Sequence, residues 1–454
     1  MKKKILIYPC SNDLRLKEYI SLANLLKDIY DIKFLIYRNS SDISRDKDLL
    51  TKNNLSYIVM DIDIDIKSKL ILIYEKISNF FNLNNTFLSK DTTLGQLYHY
   101  HIFLKKYKDA INKISNYLKK ISPDIIMMTR DNGYSPVESA LLKLAKQDGI
   151  KIVLPYLMYH SAEGTYQTVK DNLKYKNYKK ANFYQKYIFN KYKNLSYKNY
   201  YYYSAFLLSV LDNLDLLSAN PWKLGFNKRT DKVLIANQGI YDEYKSLDMD
   251  TNKLSIVGDV SYIELYKTYK NKDDIAKKII KKYNLNKKKF IIVSLPNLAY
   301  HRLITEDAEA KYLSNLFSVL TNMDDYNILI SLKPAMKKDD YIYLEKEYGF
   351  SILNENLMSV LPIANLFIVT YSSTILWSIL CGIKTIMINY MAKIDGYYTY
   401  SSICRVDKEE ELSSKIKSTI SQDIDFNDDW KVLSKDAVFN EHIKDNYLNT
   451  LKDL

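Results

Sequence analysis

Three cysteines in 454 residues, Cys10, Cys381 and Cys404, form no C-x-x-C pair, so neither a disulfide framework nor a thiolate zinc site is expected and a reducing compartment suits the chain. Glycine and proline are scarce, at 10 and 8, which excludes collagen-like repeats. A cleavable leader is not expected: Met1-Lys2-Lys3-Lys4 is followed by a short apolar run, Ile5 to Pro9, with no cleavage site beyond it. The long uncharged run Asn356–Ile383 is broken by Thr370-Tyr371-Ser372-Ser373, so it reads as strand, loop and buried helix rather than as a membrane span. Asp61, Asp63 and Asp65 alternate on a strand-like run rather than forming a metal-binding Asp-x-Asp loop, and no resident metal is expected.

What is present is ordinary globular material: 47% hydrophobic and 26% charged residues over a length suited to two or three domains. Lys and Arg (66) exceed Asp and Glu (53), giving a net charge of +13. That excess is diffuse and comes without a helix-turn-helix, RNA-recognition or zinc pattern, so no nucleic-acid partner is expected. Part of it, like the 42 tyrosines, fits the codon bias of an AT-rich genome.

Short apolar runs alternate with helical patterns along the chain. Strands are expected near Ile5–Tyr8, Phe34–Tyr37, Tyr57–Met60, Ile125–Met128 and Ile152–Pro155. After Asn220-Pro221-Trp222 they resume near Val233–Ala236, Leu254–Val257, Phe290–Val293, Ile328–Leu332, Phe367–Val369 and Thr385–Ile388. This alternation implies an α/β protein of two Rossmann-like doubly wound domains facing across a cleft. The expected division is 1–220, carrying a Lys/Tyr-rich insertion at 164–203, then 221–407, then closing helices over 408–454. The insertion holds nine Lys, eleven Tyr and one acid, Asp171; it reads as packed tyrosines with solvated lysines, or as a patch suited to an anionic membrane surface.

Ligands of open α/β sheets bind beyond the carboxyl ends of the strands, and four such loops carry suitable chemistry. They are Tyr371-Ser372-Ser373-Thr374, whose hydroxyls and amides suit a phosphate; Lys333-Pro334, which supplies a cation; Asn297 with His301; and Gly258-Asp259. Together with Leu332-Lys333-Pro334 and the Ala364–Thr374 stretch leading to Gly382-Ile383-Lys384, these loops resemble the nucleotide-binding half of GT-B glycosyltransferases over about residues 230–400. The flavour is that of bacterial surface-polysaccharide and sialyltransferase-like transferases of nonulosonic acids. Lys333 stands where those proteins mostly have His, and Trp377 where many carry a ribose-binding Glu.

The resemblance implies a metal-independent transfer of a sugar from a CMP- or UDP-linked donor to a hydroxyl of a surface glycan or lipid-linked glycan. The donor is a substrate and no cofactor is implied. An acid or imidazole must take the acceptor proton; Asp131, in Thr129-Arg130-Asp131-Asn132-Gly133, is the first candidate, followed by Glu163 and His160. Alternatives on the same fold are a sugar-nucleotide 2-epimerase, disfavoured by the absence of acids around Trp377, and a non-catalytic glycan- or nucleotide-binding relative. The expected location is cytoplasmic, at most peripheral on the inner face of the membrane.

Overall fold

A computed structural model describes residues 2–9, 13–37, 43–60, 93–155, 166, 176–286, 289–299, 304–333, 336–370, 372–390 and 400–454. Its strands are β1 (Lys4–Tyr8), β2 (Asp31–Tyr37), β3 (Ser56–Met60), β4 (Ile125–Met128), β5 (Lys151–Pro155), β6 (Ser196–Tyr197), β7 (Tyr200–Tyr201), β8 (Lys232–Ile235), β9 (Leu254–Ile256), β10 (Lys289–Ser294), β11 (Tyr326–Ser331), β12 (Ser351–Ile352), β13 (Leu366–Val369), β14 (Lys384–Ile388) and β15 (Ile403–Val406). Two parallel sheets result, in the orders β3-β2-β1-β4-β5-β8-β9 and β12-β11-β10-β13-β14-β15, and β6 and β7 form a small antiparallel hairpin. The mixed α/β character with two doubly wound sheets agrees with the sequence.

The central strands form where the chain offers continuous apolar runs, since a parallel strand covered by helices on both faces has no polar side. Ile125-Ile126-Met127-Met128 is buried at every position. In the second sheet Ile291, Val293, Ile330, Ile368 and Ile386 pack against Leu316 and Phe317 of helix Glu306–Leu320 and Ile416 of helix Leu412–Ser421. Helix Pro136–Gln147 is fixed at its start by Pro136 and by a reciprocal cap, Ser135 accepting from the Glu138 amide and Glu138 accepting from the Ser135 amide.

The chain divides into two compact units: Met1–Ile235, Tyr241–Val260 and Lys444–Leu454 in one, Ala236–Ile240 and Ser261–Ile443 in the other. The boundary therefore does not fall at residue 220. Strands β8 and β9 extend the first sheet instead of opening the second, because β8 pairs with β5 and Asp231 pins the junction, its carboxylate accepting from the Ile152 amide at 2.8 Å and its own amide donating to the Ile152 carbonyl. Asn220-Pro221-Trp222 is a loop within the first unit, with Trp222 buried and its indole N–H donating to the Leu195 carbonyl. The uncharged run 356–383 is two 3-10 turns, β13 and helix Thr374–Leu380, closed by Gly382 at φ +67°. Among the described residues no helix is long and apolar enough to cross a membrane.

Candidate functional site

In each sheet the strand order reverses once, between β1 and β4 in the first and between β10 and β13 in the second. Loops leaving the carboxyl ends of two such neighbours depart to opposite faces and leave a crevice between them. In the second unit β11, β10 and β13 are consecutive and parallel, with Ser294 of β10 in register with Ser331 of β11. The segments carrying Asn297, Lys333 and Ser372-Ser373 thus leave the same edge of one sheet.

A residue the sequence did not single out joins two of these segments. Glu309, in the first turn of helix Glu306–Leu320, accepts from the Leu298 amide at 2.8 Å and the Ala299 amide at 3.3 Å, fixing the loop that carries Asn297. Its charge also acts on Lys333. Burial pulls the Lys333 ammonium below the usual lysine range, and Glu309 partly offsets this. Lys333 is consequently a half-desolvated cation at a sheet edge, where attraction to an anion is screened less than on an open surface.

At the end of β13 the Ser372 hydroxyl accepts from the Thr374 amide (3.3 Å) and the Thr374 hydroxyl (2.9 Å). Ser373 is exposed and makes no side-chain capping bond. Of the amides at the helix start, that of Thr374 is engaged by Ser372, and those of Ile375 and Leu376 donate to the Ser372 and Ser373 carbonyls. Phosphate recognition at this loop falls to its hydroxyls and to the Ser372 and Ser373 amides, which donate to no described residue. Helix Thr374–Leu380 carries no acid, and Trp377 is half-buried on it.

Two sequence expectations change. Gly258 lies in the first unit after β9, at φ +86°, with its carbonyl accepting from the buried Tyr447 hydroxyl at 2.8 Å, so it does not share the second sheet's edge with the other loops. Asp131 is fully buried: one carboxylate oxygen accepts from the Gly225 amide (3.0 Å), the other from the Asn227 amide (3.0 Å) and the Thr230 hydroxyl (2.8 Å). It organises the 225–230 loop and has no approach for an acceptor hydroxyl. Gly225 is required beside it, because its φ is +89° and a Cβ would stand 2.6 Å from Val233 Cγ2 and 2.9 Å from Met249 Cε. His160, Glu163, His301, Pro334 and Tyr371 lie outside the described residues, as do Asp61, Asp63 and Asp65. Among the described residues no group of three or more His, Cys, Asp or Glu is placed to hold a metal ion.

No family model and no curated protein matches the chain. Its fold does match solved structures. UDP-GlcNAc 2-epimerase from Methanocaldococcus jannaschii aligns at a TM-score of 0.54 with 12% identity, covering 100% of both chains. UDP-GlcNAc 2-epimerase from Neisseria meningitidis, bound to UDP-GlcNAc, aligns at 0.54 with 9% identity, again covering 100% of both. A glycosyltransferase from Rickettsia africae aligns at 0.51 with 12% identity, covering 100% of this chain and 98% of the other. The fold is of the GT-B type. At these identities the likeness speaks to the fold alone.

Proposed function

We propose that this protein is a sugar-nucleotide-dependent glycosyltransferase whose second unit holds the donor. The observation that carries the reading is one sheet edge, at a strand-order reversal, bearing the half-buried Lys333 cation and the Ser372 and Ser373 hydroxyls. Such an edge suits the phosphate of a nucleotide sugar. As the acceptor oxygen bonds to the anomeric carbon, the carbon–oxygen bond to phosphate breaks and its electron pair passes to the phosphate, whose added charge Lys333 and the hydroxyls stabilise without a metal. The acceptor proton goes to a base, and with Asp131 sealed in the interior we assign that role to Glu163 or His160, which are chemically fit and follow β5 in the chain. The absence of an acid on helix Thr374–Leu380 favours transfer over 2-epimerisation.

Thermal-shift titration with CMP, UDP, GDP and CDP should show stabilisation by CMP or UDP, and a CMP preference would support a nonulosonic acid as the sugar. Incubation with the matching donor then separates the chemistries. Release of free nucleotide supports transfer; a sugar changed while still nucleotide-linked makes the protein an epimerase; stabilisation without turnover makes it a binding relative.

An anionic membrane is the proposed setting for a lipid-linked acceptor. Helix Phe183–Lys191 exposes Phe183 (90%), Tyr187 (72%) and Tyr184 (48%). Around them Lys179, Lys180, Lys191, Lys193 and Lys198 are exposed, and residues 176–203 contain no acid. Tyr192, Tyr201 and Tyr203 by contrast are packed, Tyr201 stacking on Phe189 at 4.0 Å. The protein should float with vesicles containing phosphatidylserine and be released by high salt, and Phe183→Ser with Tyr187→Ser should weaken binding about tenfold or more. Binding indifferent to salt and to both substitutions would refute a role for this face.

A further inference from the structure

A cavity of about 370 Å³ lies wholly within the first unit, between helix Thr93–Ile121, the Tyr134–Pro136 turn beyond β4, Lys176 and the start of helix Ala205–Asn213. Its size is in the range of small-molecule sites. Tyr100, Phe103, Tyr134 and Phe206 supply aromatic surface, and the Tyr100 and Phe206 rings are tilted by 55° at 6.5 Å. These rings therefore do not form a parallel slot for a planar base.

Among the described lining residues of this cavity Lys106 and Lys176 stand alone as fixed charges, and no Asp or Glu is present. Lys176 is buried, its ammonium donating to the Tyr202 carbonyl and standing 5.3 Å from the Tyr134 ring centroid. Lys106 is half-buried and no hydrogen bond or ion pair from a described residue reaches it. Burial draws its ammonium below the usual lysine range, with no carboxylate to offset the effect. A cation held in this way is poised for an anion that no described residue provides.

We infer that this cavity binds a saccharide bearing an anionic group, phosphate or carboxylate, with Lys106 and Lys176 meeting the charge and the aromatic side chains covering the apolar face of the sugar ring. The assignment rests on the proposed transferase activity only in naming this ligand as the acceptor end; binding itself is independent of the donor edge. The Tyr184 ring, on the exposed aromatic helix, lies 5.3 Å from Phe206 in the cavity wall, so the surface offered to a membrane runs up to this pocket.

Calorimetric titration with glucose 1-phosphate, glucuronate, glucose and inorganic phosphate tests the inference. At least one charged sugar should bind tenfold or more tightly than glucose and than inorganic phosphate. Lys106→Gln should remove that advantage, and Lys106→Arg should largely restore it. Tyr134→Ala should weaken the sugar ligands and leave inorganic phosphate unaffected, while melting curves report whether each variant is folded. Equal affinity for glucose and both charged sugars would overturn the inference, as would a folded Lys106→Gln protein with undiminished binding. Inorganic phosphate binding as tightly as glucose 1-phosphate would also overturn it, since the rings would then contribute nothing. CMP or UDP affinity that falls with Lys106→Gln would make this a nucleotide site and refute the saccharide assignment. If no nucleotide stabilises the protein while Lys106-dependent sugar binding persists, the transferase reading fails and the cavity assignment stands.

Discussion

Replacing Asp131 by Asn should destabilise the protein by about 2–4 kcal/mol, and replacing it by Ala should do so at least as strongly, because both leave buried donors without their acceptor. The carboxylate takes three donated bonds, two from amides and one from a hydroxyl, in a fully buried setting. Asn supplies one acceptor oxygen and turns an N–H₂ group toward the other donors. With its oxygen toward Asn227 and Thr230, the Gly225 amide faces a donor; with the amide reversed, the Asn227 amide does, and only the Thr230 hydroxyl can rotate to accept.

The loop has no second solution, since Gly225 is wedged against Val233 and Met249 and Asn227 is itself tied through its side chain to the Asp131 and Leu216 carbonyls. Urea unfolding should show the loss as an earlier midpoint. Burial also raises the Asp131 carboxyl above its ordinary value, more than the donated bonds lower it. The folded state then holds this proton to higher pH than the unfolded chain does. Its contribution to stability is full below about pH 3.9 and is lost as pH rises through the raised folded value; Asp131→Asn should remove that dependence. A folded Asp131→Asn protein with an unchanged midpoint and lost turnover would return Asp131 to the role of base.

Asp131 also marks where sequence reading reaches its limit. Arg130-Asp131-Asn132-Gly133 looks like a turn, and Gly133 does adopt φ +69°, but nothing within the motif reports that the 225–230 loop, about 95 residues away, closes over it. Central strands were legible because burial on both faces demands unbroken apolar runs: β4 spans the expected residues, and β1, β5, β10 and β14 differ from expectation only at their ends. β15 was missed because Ile403-Cys404-Arg405-Val406 is an edge strand with three half-buried positions, one of them charged. The domain boundary was misplaced because Pro221 announces a turn and not a change of sheet; strand pairing decides that, and β8 pairs back to β5. In the candidate site, Lys333 and the serine pair were visible through their place after strands. Glu309 was not, because an acid in the first turn of a helix has an ordinary reading as a partner of the helix dipole.

Ser372→Ala combined with Ser373→Ala should lower affinity for the stabilising nucleotide by about 10²–10⁴, the equivalent of losing two hydrogen bonds to a charged group at roughly 1.5–3 kcal/mol each. The double change is apt because the amides of Thr374, Ile375 and Leu376 already donate within the loop, so the Ser372 and Ser373 hydroxyls, beside those two residues' own amides, are the groups left to donate to a phosphate. Ser373 is exposed and free of a capping role, so its loss should not affect folding. Ser372 accepts two local bonds and still has its own proton to donate outward, so Ser372→Ala alone should cost both a little stability and part of the affinity. Thr374→Val separates these effects: it deletes the hydroxyl that orients Ser372 while keeping the Ser372 and Ser373 hydroxyls, and should give a small loss of affinity. If Ser372→Ala lowers only the melting temperature, and the double variant binds CMP and UDP as the native protein does, the serine pair is a helix cap and the donor edge must be sought without it.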